Sequence, residues 1–115
     1  MGEMEKVHVY LDDWRPCPEG FVLAKNAEEC LLLLRECRVG ILSLDHDLGA
    51  GELTGTDLVI QMIQERLFAD VIYLHTSSLE GKRRMHDMLQ ASKPEHVVVF
   101  PYPIPNEVLN EFRPQ

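Results

Sequence analysis

The residues best suited to chemistry in this chain stand in three short clusters, each directly after an apolar run. Asp12-Asp13 follows Val7-His8-Val9-Tyr10-Leu11, Asp45-His46-Asp47 follows Ile41-Leu42-Ser43-Leu44, and His75-Thr76-Ser77-Ser78 follows Val71-Ile72-Tyr73-Leu74. Gathered carboxylates repel: two about 5 Å apart cost roughly 3 kcal/mol at an effective dielectric near 20. A third makes an empty site costly, so a proton or a cation should be held there. Oxygen-only ligands favour Mg²⁺ or Mn²⁺ over zinc. Asp12, Asp13, Asp45 and Asp47 are therefore the candidate metal ligands.

An imidazole titrates near neutral pH and suits proton transfer. His75 should project at the mouth of its strand beside Thr76 and Ser77, whose hydroxyls can hold phosphate oxygens. His46 alternates with Asp45 and Asp47, and strand alternation turns it toward the opposite face. Arg15, two residues after the first acid pair, can grip a phosphate bidentately. Lys82 lies where a helix should begin, an end that favours anions. Asp and Ser after strands also serve simply as turn and helix caps, but three strand ends furnished alike favour a site.

These side chains converge only if the intervening elements bring the strand ends together. The apolar runs alternate with amphipathic stretches: Asn26 to about Arg38, Thr56 or Asp57 to Leu67, and Glu80 to Ala91 carry apolar residues at helical spacing. Gly40 is read as the separator between the first of these helices and Ile41–Leu44. Phe21–Ala24 and Val97–Phe100 supply two further strands, and Asn106–Phe112 allows at most a short last helix. Strands that are nearly all apolar and alternate with helices imply a parallel sheet covered on both faces. The expected fold is α/β, doubly wound and five-stranded. If the first and third strands are neighbours, as in the order 2-1-3-4-5, the clusters meet at the carboxyl ends, where such sheets bind ligands. Residues 12–20 contain Pro16, Pro18 and Gly20, so the first crossover helix should be reduced to a loop.

At 115 residues, 45% hydrophobic and 26% charged, the chain is expected to be one domain, residues 1–115, with a core that needs no staples. Three cysteines without a CxxC pair indicate reduced thiols, with Cys30 and Cys37 facing the core. A net charge of −8 disfavours extended duplex nucleic-acid binding. The N-terminal Met1-Gly2-Glu3-Met4-Glu5-Lys6 has the pattern of neither a signal peptide nor a myristoylation site, and no run is long enough to span a membrane. A cytoplasmic location without membrane contact is expected.

Leu11-Asp12-Asp13 and Ser43-Leu44-Asp45-His46-Asp47-Leu48 resemble the metal-binding acids and phosphoacceptor segment of a two-component receiver domain, with Asp45 at the phosphoacceptor position. Two positions depart from that pattern. Phe100 precedes Pro101 where a receiver carries lysine, and His75 stands ahead of the expected hydroxyl. Asp12-Asp13-Trp14-Arg15-x-x-Pro18-x-Gly20, Leu44-Asp45-His46-Asp47-Leu48-Gly49, and His75-Thr76-Ser77 with Gly81 and Met85 are more closely similar to the cyclic-phosphate processing receiver domain family. That resemblance implies a receiver-like fold turned into a metal-dependent enzyme acting on the cyclic phosphate of a nucleotide or RNA end.

The expected function is accordingly hydrolysis of a cyclic phosphodiester. Asp12, Asp13, Asp45 and Asp47 offer the metal site, with Mg²⁺ or Mn²⁺ as the divalent cation. Arg15, Thr76, Ser77 and Lys82 are the phosphate-binding candidates, and His75, His46 and Asp45 the catalytic ones. The competing reading is a divergent receiver that responds to phosphorylation or a nucleotide without turnover.

Overall fold

The computed structural model describes residues 5–114. The reading of the extreme N-terminus therefore falls largely on residues outside those described. Five parallel strands, β1 (Val7–Leu11), β2 (Val22–Ala24), β3 (Val39–Leu44), β4 (Val71–Leu74) and β5 (Val98–Phe100), form one sheet in the order β2-β1-β3-β4-β5. Helices α1 (Ala27–Glu36), α2 (Gly55–Glu65) and α3 (Leu79–Ser92) make the crossovers, and α4 (Asn106–Asn110) follows β5. β1 reaches β2 without a helix, as its prolines require.

Each long helix starts where a side chain satisfies its free amides. Asn26 accepts from the Glu29 N–H, Thr54 and Asp57 form a reciprocal capping box, and Ser78 accepts from the Gly81 N–H. Helix α2 therefore begins slightly ahead of Thr56, on a cap the apolar spacing does not reveal. It ends at Arg66, whose left-handed φ of 58° turns the chain out. Helix α1 stops at Glu36, so Cys37 is a half-buried C-cap, whereas Cys30 is wholly buried.

The three crossovers β2→β3, β3→β4 and β4→β5 all step the same way across the sheet, and right-handed connections then place α1, α2 and α3 on one face. Val9, Leu11, Leu42, Leu44, Ile72, Leu74 and Val99 point into that layer and form the core with Met62, Met85 and Leu89. The alternate residues line the other face, which is covered by chain segments instead of long helices. Phe112 packs on His8 and Phe21, while Tyr102 lies against Tyr73 and Phe100.

Gly40 belongs to β3; it does not precede it. The β1–β3 register shifts between Val7 and Val9, and the His8 ring fills the irregularity, its Nδ1 accepting from the Ile41 N–H at 3.0 Å. A Cβ at residue 40 would stand 2.7 Å from His8 Cε1, so only glycine fits beside that ring.

Candidate functional site

Register builds the site. Leu11 pairs with Leu44, and Leu44 with Leu74, so the next residue of each strand, Asp12, Asp45 and His75, emerges at one level. Three backbone bonds continue the ladder one step: the Asp12 N–H donates to Ala24 O, the Asp45 N–H to Leu11 O and the His75 N–H to Leu44 O. Adjacent strands lie about 4.8 Å apart, and one polar atom from each of the three side chains lies within 4.8 Å of the others. Because Leu11, Leu44 and Leu74 face the helices, the three polar residues turn to the face lacking long helices. All three are buried.

Asp12 is the hub. Its Oδ1 accepts from the backbone N–H groups of Trp14 and Arg15, each at 2.9 Å, which folds the chain after β1 into a tight turn. Its Oδ2 accepts from Arg15 Nη1 at 2.8 Å and lies 2.9 Å from His75 Nε2. The same Nη1 donates to Asp45 Oδ2 at 3.0 Å, so one guanidinium nitrogen spans both acids. Burial, the largest influence on Asp12, raises its pKa. The Arg15 and Trp14 amides, followed by the Arg15 guanidinium and His75, more than offset this and hold the carboxyl at about 2. Asp45 also accepts the N–H of His46 on Oδ1.

His75 is clamped on every side. Its ring stacks on Tyr10 with centroids 4.4 Å apart, and its Nδ1 lies 2.6 Å from the Ser43 hydroxyl. Burial lowers its pKa, against a smaller upward pull from Asp12 and Asp45, so the imidazole is neutral at neutral pH. With Asp12 ionised, Nε2 carries the proton and Nδ1 accepts from Ser43. The hydroxyl both donates and accepts, so Ser43 can hold either tautomer, while the Asp12 carboxylate favours the one with the proton on Nε2. Ser43 and Tyr10 are site residues that the sequence reading did not single out. The signal for Ser43 was present, as the one serine or threonine inside the five strands.

The other sequence candidates lie apart from this buried cluster. His46 turns to the helix face, where its Nδ1 meets Thr56 Oγ1 at 3.0 Å and its ring packs on Gly81. Asp13 and Asp47 are exposed, Asp13 lying beside Gly49 of the loop after β3. Thr76 is buried and accepts from the Ser78 N–H in the turn leading to α3; Ser77 is exposed and Lys82 half-buried in the first turn of α3. Cys17 Sγ is engaged with Phe21 O and Pro18 O, and burial raises its pKa, an environment opposite to that of a thiolate nucleophile.

Asp12, Asp45 and His75 fit a divalent cation in donor type and spacing. Oδ1 of each acid is engaged by backbone N–H groups, which leaves Oδ2 of Asp12 and of Asp45, the pair bridged by Arg15 Nη1, as the oxygens open to a cation. A metal and the guanidinium thus share one pair of ligands, and the imidazole makes the donor set O,O,N instead of oxygen alone. That set suits Mn²⁺ as well as or better than Mg²⁺.

A parallel sheet in this order, closed by acids after β1 and β3, defines a domain of the receiver class. The receiver domain of the Francisella response regulator 1452 has the same fold, with a TM-score of 0.55 at 14% identity, covering 94% of this chain and 93% of that one. A CheY-like response regulator receiver domain from Methanospirillum hungatei JF-1 superimposes with a TM-score of 0.53 at 15% identity, over 92% and 89% of the two chains. No curated protein matches the sequence. Residues 7–91 match the model of the cyclic-phosphate processing receiver domain, and the chain belongs to that family.

Proposed function

We propose that this domain is a phosphoesterase that opens the cyclic phosphate of a nucleotide or RNA end with the help of a divalent cation. The observation that carries the reading is the Arg15 guanidinium. Nη1 spans Asp12 and Asp45, while none of the hydrogen bonds among the described residues uses Nε or Nη2. The side chain is 26% exposed. A fork held rigidly at one nitrogen and open at the others suits a phosphate at the strand ends.

Asp12 and Asp45 would hold the cation through carboxylate oxygens, which keeps His75 Nε2 unligated for proton transfer, and the exposed Asp13 can approach from the same turn. When bound, the cation polarises the phosphoryl group. Arg15, held at Nη1, would balance the phosphate charge through Nε and Nη2. To act as a base His75 would first move its proton from Nε2 to Nδ1, donated to Ser43, which frees the Nε2 lone pair beside Asp12 Oδ2 at the strand ends. Nε2 accepts a proton as water oxygen bonds to phosphorus, and returns it to the ribose oxygen as the ring P–O bond breaks. The Asp12 carboxylate, ionised throughout, stabilises the imidazolium formed in between.

Turnover of 2′,3′-cyclic nucleotides in Mg²⁺ or Mn²⁺, followed by ³¹P NMR, tests this. His75→Ala should lower the rate about 10²- to 10⁴-fold while binding survives. Arg15→Ala should weaken binding and turnover together. Metal-loaded protein that binds the cyclic phosphate without opening it, or a fully active His75→Ala variant, refutes the mechanism.

A further inference from the structure

Trp14 is the chain's single tryptophan, and it is 74% exposed. A side chain of that size left in water stands out when it is held in place, and Trp14 is held at both ends. Its backbone N–H is pinned to Asp12 Oδ1 at 2.9 Å, and the Arg15 guanidinium carbon lies over its ring, 5.1 Å from the centroid. One face of the indole is thereby occupied and its remaining surface stays open to solvent. The residue that presses on the ring is the one whose Nε and Nη2 make no hydrogen bond among the described residues.

We infer that Trp14 is the platform on which the nucleobase of the substrate stacks. The inference rests on the phosphoesterase reading and deepens it: the nucleobase is itself a recognised part of the substrate, held by Trp14, and not a bystander to the cyclic phosphate. An aromatic ring accepts any base because every base has a π face. Aromatic pairs stack with centroids about 4.5–7 Å apart, and Trp14 and Arg15 are adjacent residues of one turn, so base and phosphate would be held by neighbouring side chains. The ring gives recognition without hydrogen-bond readout, which predicts little discrimination among the four bases and better binding of purines through their larger area. Since Arg15 contacts both the indole and the acids, base and phosphate are read by one rigid turn, residues 12–15.

The indole is its own reporter. Titration of the wild-type protein with a 2′,3′-cyclic mononucleotide, with a dinucleotide ending in the same cyclic phosphate, and with a methyl riboside 2′,3′-cyclic phosphate that lacks the base is followed by tryptophan fluorescence and calorimetry. Quenching is expected from either base-bearing ligand, the pair separating free nucleotide from RNA end. The base-free compound should bind roughly 5- to 100-fold more weakly, the worth of one stacked base. Calorimetry on Trp14→Ala should show the same loss for the nucleotide and almost none for the base-free compound, and Trp14→Phe should restore most of it. Equal affinity of wild type for ligands with and without a base, or a Trp14→Ala variant that binds the nucleotide as tightly as wild type, overturns the inference and leaves the phosphoesterase reading intact. Failure of all three ligands to bind overturns both.

Discussion

Replacing Asp12 by asparagine tests whether the buried charge cluster holds the fold together or strains it. Repulsion alone argues for strain: oxygens of Asp12 and Asp45 lie within 4.8 Å, a cost of about 3 kcal/mol at an effective dielectric near 20. Arg15 Nη1 at 2.8 and 3.0 Å attracts each acid by about 6 kcal/mol on the same scale, so attraction wins. In Asp12→Asn the amide oxygen keeps the two backbone N–H bonds of the turn. Its NH₂ group faces two donors, and His75 escapes the clash by moving its proton to Nδ1, toward Ser43. The bond to Arg15 has no such escape, and a hydrogen bond to a charged group is worth about 1.5–3 kcal/mol. A carboxyl held at about 2 instead of 3.8 implies about 2.5 kcal/mol, which agrees. The variant should therefore lose about 2–3 kcal/mol at pH 7, or about 8–12 °C in Tm for a domain of this size. The sign with pH follows. A depressed carboxyl stabilises fully above the unfolded pKa of 3.8 and loses that contribution as pH falls through 2. Urea unfolding of both proteins at pH 7, 4 and 2 should show the gap closing. A variant as stable as wild type at pH 7, or a gap of equal size at pH 7 and pH 2, refutes the reasoning.

Millimolar Mn²⁺ or Mg²⁺ should raise the wild-type Tm by native-state binding, and the Asp12→Asn, Asp45→Asn double variant should lose that rise; equal metal responses would reject the site. Arg15→Ala leaves two buried acids without their cation, so its Tm should fall in metal-free buffer and recover with metal more than wild type gains; absence of that recovery would mean the guanidinium and the cation do not share ligands. Phe100, stacked between Tyr73 and Tyr102 where receivers keep lysine, offers no cation to a phosphoryl group, so acetyl phosphate should leave no lasting adduct on Asp45 by intact mass. An added methyl at Gly81 would overlap the His46 ring; Gly81→Ala should cost about 1–3 kcal/mol by overpacking, whereas Gly81→Ala in a His46→Ala background should cost far less, and equal costs would show that the ring is not wedged there.

The sequence by itself determined the elements and the chemistry they carry. Apolar runs of five or so residues ending in acids or imidazole read as largely buried strands, and three helical patterns between them imply a parallel sheet. The prolines of residues 12–20 removed the first crossover helix without help from the fold. Strand alternation also turned His46 away from Asp45. Relations between strands were beyond its reach. Nothing local states that Leu11, Leu44 and Leu74 share a level, yet that register is what brings Asp12, Asp45 and His75 within 4.8 Å. The role of Arg15 shows the same limit: its proximity to Asp12 is legible at three residues' spacing, but its bridge to Asp45 crosses thirty residues of chain. Ser43 and Tyr10 were overlooked because a strand's own pattern treats them as fillers of the sheet, and only packing reveals that both grip one imidazole. Composition and periodicity are properties of neighbours along the chain, while a site is made of neighbours across the sheet, and the hydrogen-bond ladder alone decides which those are.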